Sequence, residues 1–181
     1  MKKIFSVFII FVVTFLFTAC GGSSELDFRS VLDLDSDTVL SLGDSLSRFE
    51  DALGSGTEVD MYIEIDADIS RYAFVNGVLE VVFINDQAVS ISQTTESTRF
   101  QFSDVAFEMT SADIAGRFSA SDYSLDFMTF YQRFYDSRGR EVGDRLGADY
   151  VATIVYQQED DVLGDLFGEG ITQISISTAD W

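Results

Sequence analysis

The chain has 181 residues, 31 Asp and Glu against 11 Lys and Arg, no His, no Pro and one Cys, and it is 46% hydrophobic with 17 Phe and 7 Tyr. That length allows one domain, and the apolar and aromatic share is enough to build a core rather than a disordered acidic tail. Without His there is no Ser-His-Asp or Cys-His nucleophile system and no imidazole zinc site.

Lys2 and Lys3 precede an apolar stretch from Ile4 to Phe17 interrupted only by Ser6 and Thr14. A basic start, a short apolar middle and a small-residue end predict a secretory signal over residues 1–19, and the stretch is shorter than the roughly 20 residues of a membrane-spanning helix. Phe17-Thr18-Ala19-Cys20, followed by Gly21-Gly22-Ser23-Ser24, resembles the lipobox of bacterial lipoproteins, with Phe17 where that family usually has Leu. The resemblance implies that Cys20 is diacylated and becomes the mature N-terminus, anchored to a membrane. Gly21 is not the Asp that retains such proteins in the inner membrane, so it also implies the outer membrane of a bacterial envelope.

Loss of the two lysines leaves nine Arg against 31 acids, a net charge of −22 with no Lys. Nucleic acid and anionic lipid surfaces repel such a body, so neither is expected as a direct partner. Schiff-base chemistry and a phosphate-gripping lysine are also closed. The acidity suits a protein kept hydrated at high ionic strength as well as one that binds cations.

Residues 20–30 read as a flexible tether, Val31 to Leu42 as an acid-rich segment, and 31–181 as one acidic domain. Asp33, Asp35 and Asp37 occupy the first three ligand positions of a calcium loop, and Asp44 the twelfth. The loop wants Gly at the sixth position and Glu at the twelfth, where this chain has Thr38 and Asp44, so a solvated acidic linker competes with a calcium site. From Asp44 to Leu53 the spacing of Leu46, Phe49 and Leu53 predicts a short helix, capped by Asp44 or Ser45 and ended at Gly54.

Strand grammar follows. Ile63, Ile65, Ala67 and Ile69 alternate with Glu64, Asp66 and Asp68, and Tyr72 to Val75 is expected to meet Val78 to Ile84 across Asn76-Gly77. Asn85-Asp86 turns into Ala88 to Ser92. Arg99 to Met109 alternates through Phe100, Phe102, Val105 and Phe107, with a bulge at Asp104. Tyr123 to Tyr135 fits a helix face and a strand face almost equally; its Thr and aromatic content, with the turn Asp136-Ser137-Arg138-Gly139 after it, favours a strand. Tyr150 to Tyr156 and Ile171 to Ile176 complete the set. The expected fold is mainly β, an antiparallel barrel or sandwich of about nine strands with one or two short helices.

Phe134-Tyr135-Asp136-Ser137-Arg138-Gly139-Arg140-Glu141-Val142-Gly143, with the β-run Tyr150 to Tyr156, resembles the barrel motif of transferrin-binding-protein-B-like surface lipoproteins. That family has Gly-Pro where Asp136 and Ser137 stand and a second Gly where Asp144 stands. The resemblance implies an eight-stranded barrel; its haem-binding members are no guide to a ligand, since His is absent. Val39-Leu40-Ser41-Leu42-Gly43-Asp44-Ser45 through Leu53-Gly54, with strands after it, is similar to the helix-then-sheet unit of β-lactamase-inhibitor-like and small assembly lipoproteins. A second copy would run from Phe107 through Ser111, Ile114 and Phe118, making an α+β tandem repeat and a protein-interaction module.

The expected function is therefore a lipid-anchored envelope protein that binds an unknown protein or small ligand, without catalysis and with no catalytic or cofactor-binding residue. The enzymatic alternative is a carboxylate-based glycoside hydrolase, for which Glu64, Asp66 and Asp68 repeat every ~7 Å along one strand face and a carboxylate pair needs about 5–9 Å. A solvent-facing row gives none of them the desolvation that a general acid requires. Glu159-Asp160-Asp161 reads as an exposed loop.

Overall fold

In the computed structural model, residues 26–61, 68–103, 105–125, 128–157 and 170–181 are described. The signal segment, Cys20, the Glu64 and Asp66 positions, Asp104 and the 159–161 run lie outside them.

The chain is mainly β, as its alternation predicts, in two antiparallel sheets. β1 (Ser30–Asp33), β2 (Thr38–Ser41) and β7 (Phe100–Phe102) form a small sheet in the order β2-β1-β7. The acid-rich segment Val31 to Leu42 is thus a hairpin, because Val31 and Leu40 are fully buried and the Asp33 charge is met by Arg99. Of the expected strand Arg99 to Met109, the described residues form strand only over Phe100–Phe102, and among the described residues β7 has no partner but the four-residue β1. The folded body starts within the stretch read as tether: Phe28 stacks on Tyr135 at 4.9 Å.

The large sheet holds β3 (Thr57–Glu58), β4 (Ile69–Phe74), β5 (Leu79–Ile84), β6 (Gln87–Gln93), β8 (Ser119–Leu125), β9 (Met128–Tyr135), β10 (Glu141–Val142), β11 (Tyr150–Gln157) and β12 (Gly170–Thr178). Its order is β10-β9-β11-β12-β6-β5-β4-β3, with β8 beside β10 on the outer edge of β9. The described residues of Tyr123 to Tyr135 are strand, 123–125 in β8 and 128–135 in β9. Turn chemistry fixes several joints. Asn85 and Asp86 both have positive φ (50° and 61°), the demand of a two-residue primed hairpin turn. The Asn76-Gly77 link is longer, with Val75, Asn76 and Gly77 all left-handed between Phe74 and its partner Leu79.

The barrel expected from the motif around Phe134 to Gly143 does not form. Among the described residues no ladder joins β3 or β4 to β8 or β10, so the sheet is open. Closure is not needed to hide its apolar face, because other elements cover it. Helix α1 (Leu46–Leu53), capped by Ser45 and stopped at left-handed Gly54, buries Phe49 against Phe74 and Phe83 at 5.8 and 5.5 Å. Helix α2 (Ser111–Ala115), opened by a Thr110–Asp113 capping box, buries Ile114. Val31, Leu40, Phe100 and Phe102 of the small sheet join the same core.

The register also exposes an internal repeat. Each half is a helix, a short edge pairing and three long antiparallel strands: α1-β3-β4-β5-β6, then α2-β8-β9-β11-β12. The last strands of the halves, β6 and β12, pair antiparallel at the sheet's centre, with Ser92 opposite Ser175. The β5–β6 ladder slips by one residue between Val82 and Phe83, and the β11–β12 ladder slips between Val155 and Tyr156. Tyr72 faces Val81, two residues before Phe83, and Tyr131 faces Ile154, two residues before Tyr156. Both Tyr rings meet those aromatics edge-on, at 6.0 Å and 75° and at 6.5 Å and 85°. The tandem helix-then-sheet order is therefore present in topology, within a mainly β chain.

Candidate functional site

Strand alternation divides the large sheet into two faces. The inner face carries Phe74, Tyr72, Leu79, Val81, Phe83, Ile91, Ile174, Ile176, Ile154 and Tyr156, all members of or packed against one core cluster. Both helices and the small sheet lie on that side. The outer face belongs to a different set of residues. Val151 and Val155 are buried there, 5% and 8% exposed, yet neither joins the core cluster. Val151 lies between Phe134 and Ser177, and Val155 between Phe130 and Gln173.

Across its middle the outer face bears hydroxyls: Ser90 and Ser92 stand opposite Ser177 and Ser175, with Thr153 on the next strand. Apolar groups flank them, Val82 and Ile84 on one side and Met128, Phe130 and Phe134 on the other. Among the described residues of β4, β5, β6, β9, β11 and β12, the only charges on this face are Arg71 and Glu80, which pair with each other. In a chain that is 23% charged, that is a marked depletion. Charge depletion with aromatics and Met is the compositional sign of an interface centre.

No three of the four aspartates of the calcium reading are brought together, although Asp33 and Asp35 meet at Arg99. Both Asp33 oxygens take Arg99, with Nε at 2.8 Å from Oδ1 and Nη2 at 2.9 Å from Oδ2; Ser36 Oγ and the Asp35 N–H also donate to it. Burial pushes its pKa up, but Arg99, Ser36 and the Asp35 N–H outweigh that and hold the carboxyl below its ordinary range. Asp35 approaches the same guanidinium at 3.4 Å. Asp37 sits in the β1–β2 turn with φ +52°, and Asp44 accepts the Ser41 N–H at 2.8 Å ahead of α1. Among the described residues no group of three or more His, Cys, Asp or Glu is placed to hold a metal. Asp68, the described member of the Glu64-Asp66-Asp68 row, accepts the Asn85 N–H through its backbone carbonyl.

Sequence reasoning missed the outer face. A signal existed: Val81 to Ile84, Tyr150 to Gln157 and Ile171 to Thr178 contain no charge at all. No helix among the described residues is long and apolar enough to cross a membrane. No protein-family model matches this chain, and comparison with curated proteins and with solved structures gives no match either.

Proposed function

We propose that the chain is a lipid-anchored protein of a bacterial cell envelope that binds another protein through the outer face of its large sheet, without catalysing a reaction. The observation that carries this reading is the near-absence of charge on that face within so acidic a chain. Charged groups at a protein interface must shed water, and a surface of Val, Phe, Met and hydroxyls sheds it at lower cost. The repeat supports the reading as well. Two equivalent halves meeting at Ser92 and Ser175 make one continuous six-strand platform from two short units. Anchoring rests on the lipobox-like Phe17-Thr18-Ala19-Cys20, since two acyl chains hold a protein at a membrane where one chain binds only marginally.

A photoactivatable residue placed at Gln132, on the outer face, and separately at Asp51, on the exposed side of α1, tests the binding surface in intact cells. The reading expects a discrete protein adduct from position 132 and none from 51. Adducts of equal yield from both, or none from 132, contradict it. Anchoring is read by radiolabelled palmitate, which should enter the wild-type chain and not Cys20→Ala.

A further inference from the structure

On the inner side, along β7 and the segment that leads from it towards α2, lies a cleft of about 440 Å³, within the ~300–1,000 Å³ span of small-molecule sites. Phe102, Phe107, Met109 and Ile174 supply apolar wall. Two polar features give it direction. The first is Gln93, 1% exposed at the end of β6. Its Nε2 donates to the carbonyls of Thr95 and Ser97 at 2.9 and 3.1 Å, which spends both amide hydrogens; Oε1 takes no donor among the described residues and is not a buried orphan, so it remains open to solvent. The second is Arg117, just past α2. Asp113, four residues earlier, feels its charge, and Arg117, like Arg48, Arg138 and Arg145, has no carboxylate within ion-pair distance among the described residues. Glu108, which shares the cleft, does not reach it.

An apolar cleft with one acceptor inside and, at its wall, a guanidinium that no carboxylate among the described residues contacts directly asks for a ligand with the complementary sequence of groups. We propose that this cleft binds an acyl-chain carboxylate that carries an N–H or O–H donor, with the chain between Phe102, Phe107 and Met109, the donor on Gln93 Oε1 and the carboxylate on Arg117. This site is separate from the outer sheet face and stands or falls independently of it.

The test uses the full chain in phosphatidylcholine nanodiscs and a diazirine-bearing N-acylglycine, with the labelled peptide mapped by mass spectrometry. Labelling is expected on the 100–109 segment, displaced by excess N-lauroylglycine and at least about tenfold less well by its methyl ester, the value of one charge-assisted hydrogen bond. Laurate, lacking the amide, should compete several-fold less well than N-lauroylglycine. Arg117→Gln, at an exposed position, should abolish the preference for acid over ester, and Thr98→Trp, which fills the cleft from an exposed position, should abolish the labelling. Labelling outside this segment, equal competition by acid and ester, or a preference that survives Arg117→Gln would overturn the proposal. Retained melting temperatures of both variants separate these outcomes from misfolding.

Discussion

Arg99 closes on Asp33 from 66 residues away in a two-bonded fork, and Asp33 is fully buried while Arg99 keeps a quarter of its side-chain surface exposed. The pair fastens the chain entering β7 to the end of β1, so the small sheet depends on it. Removing one partner of a buried pair strands the other charge, at about 3–5 kcal/mol when both are buried. Because Arg99 is partly solvated, Arg99→Ala should cost about 2–3 kcal/mol, read as a fall in the urea midpoint with an unchanged slope. A loss under about 0.5 kcal/mol, the usual range of surface substitutions, would contradict this.

The same pair sets a pH dependence. The folded-state pKa of Asp33 lies below its ordinary value of 3.8, so its contribution to stability is fully present above that value. It is lost as pH falls through the lower, folded-state pKa. The stability difference between wild type and Arg99→Ala should be largest near neutral pH and shrink on acidification, because Asp33 stranded without Arg99 takes up its proton at a higher pH than the paired Asp33 does. A difference that instead widens on acidification would show that Asp33 is not the group titrating.

Gly139 has φ +76°, and a Cβ added there would stand 2.6 Å from Cε1 of Phe28. Phe28 is itself stacked on Tyr135 and edge-on to Tyr150 at 5.4 Å. Gly139→Ala therefore meets both a left-handed backbone and a ring that cannot retreat freely, and should cost about 1–3 kcal/mol. Thermal unfolding checks the cost, and faster proteolysis around residues 26–29 checks the displacement of Phe28. Unchanged values in both would contradict the contact.

Much of the fold is legible in the sequence because local rules carry it. The stripe Leu46, Phe49, Leu53 with Ser45 and Gly54 at its ends is a helix in the structure, and Tyr150 to Tyr156 and Ile171 to Ile176 are strands. Within Tyr123 to Tyr135, Met128 to Tyr135 resolves as strand because it pairs with β11 on one side and with β8 and β10 on the other, which no local pattern reveals. The choice between barrel and open sheet depends on whether the edges meet, and nothing in the sequence around Phe134 to Gly143 encodes that. The pairing of Asp33 with Arg99 is not legible in the sequence because the two lie 66 residues apart. The repeat is hidden for a related reason. Positions that correspond by register differ in chemistry, Phe74 against Arg133 and Leu79 against Ala152, and the likeness survives in the ladder slips and the Tyr–aromatic contacts beside them. The charge-free runs hint at an outer face, but Val81 and Val82 look alike until the register assigns one to the core and the other to the opposite side.

The binding claim is tested most directly by placing charge on the uncharged face. Gln132→Glu with Thr153→Glu sets two carboxylates side by side, since these residues are opposite each other in the β9–β11 ladder. The account predicts loss of the adduct formed from a photoactivatable residue at Ser175 on the same face, with the fold retained by circular dichroism. An adduct of undiminished yield on a folded double variant would contradict it.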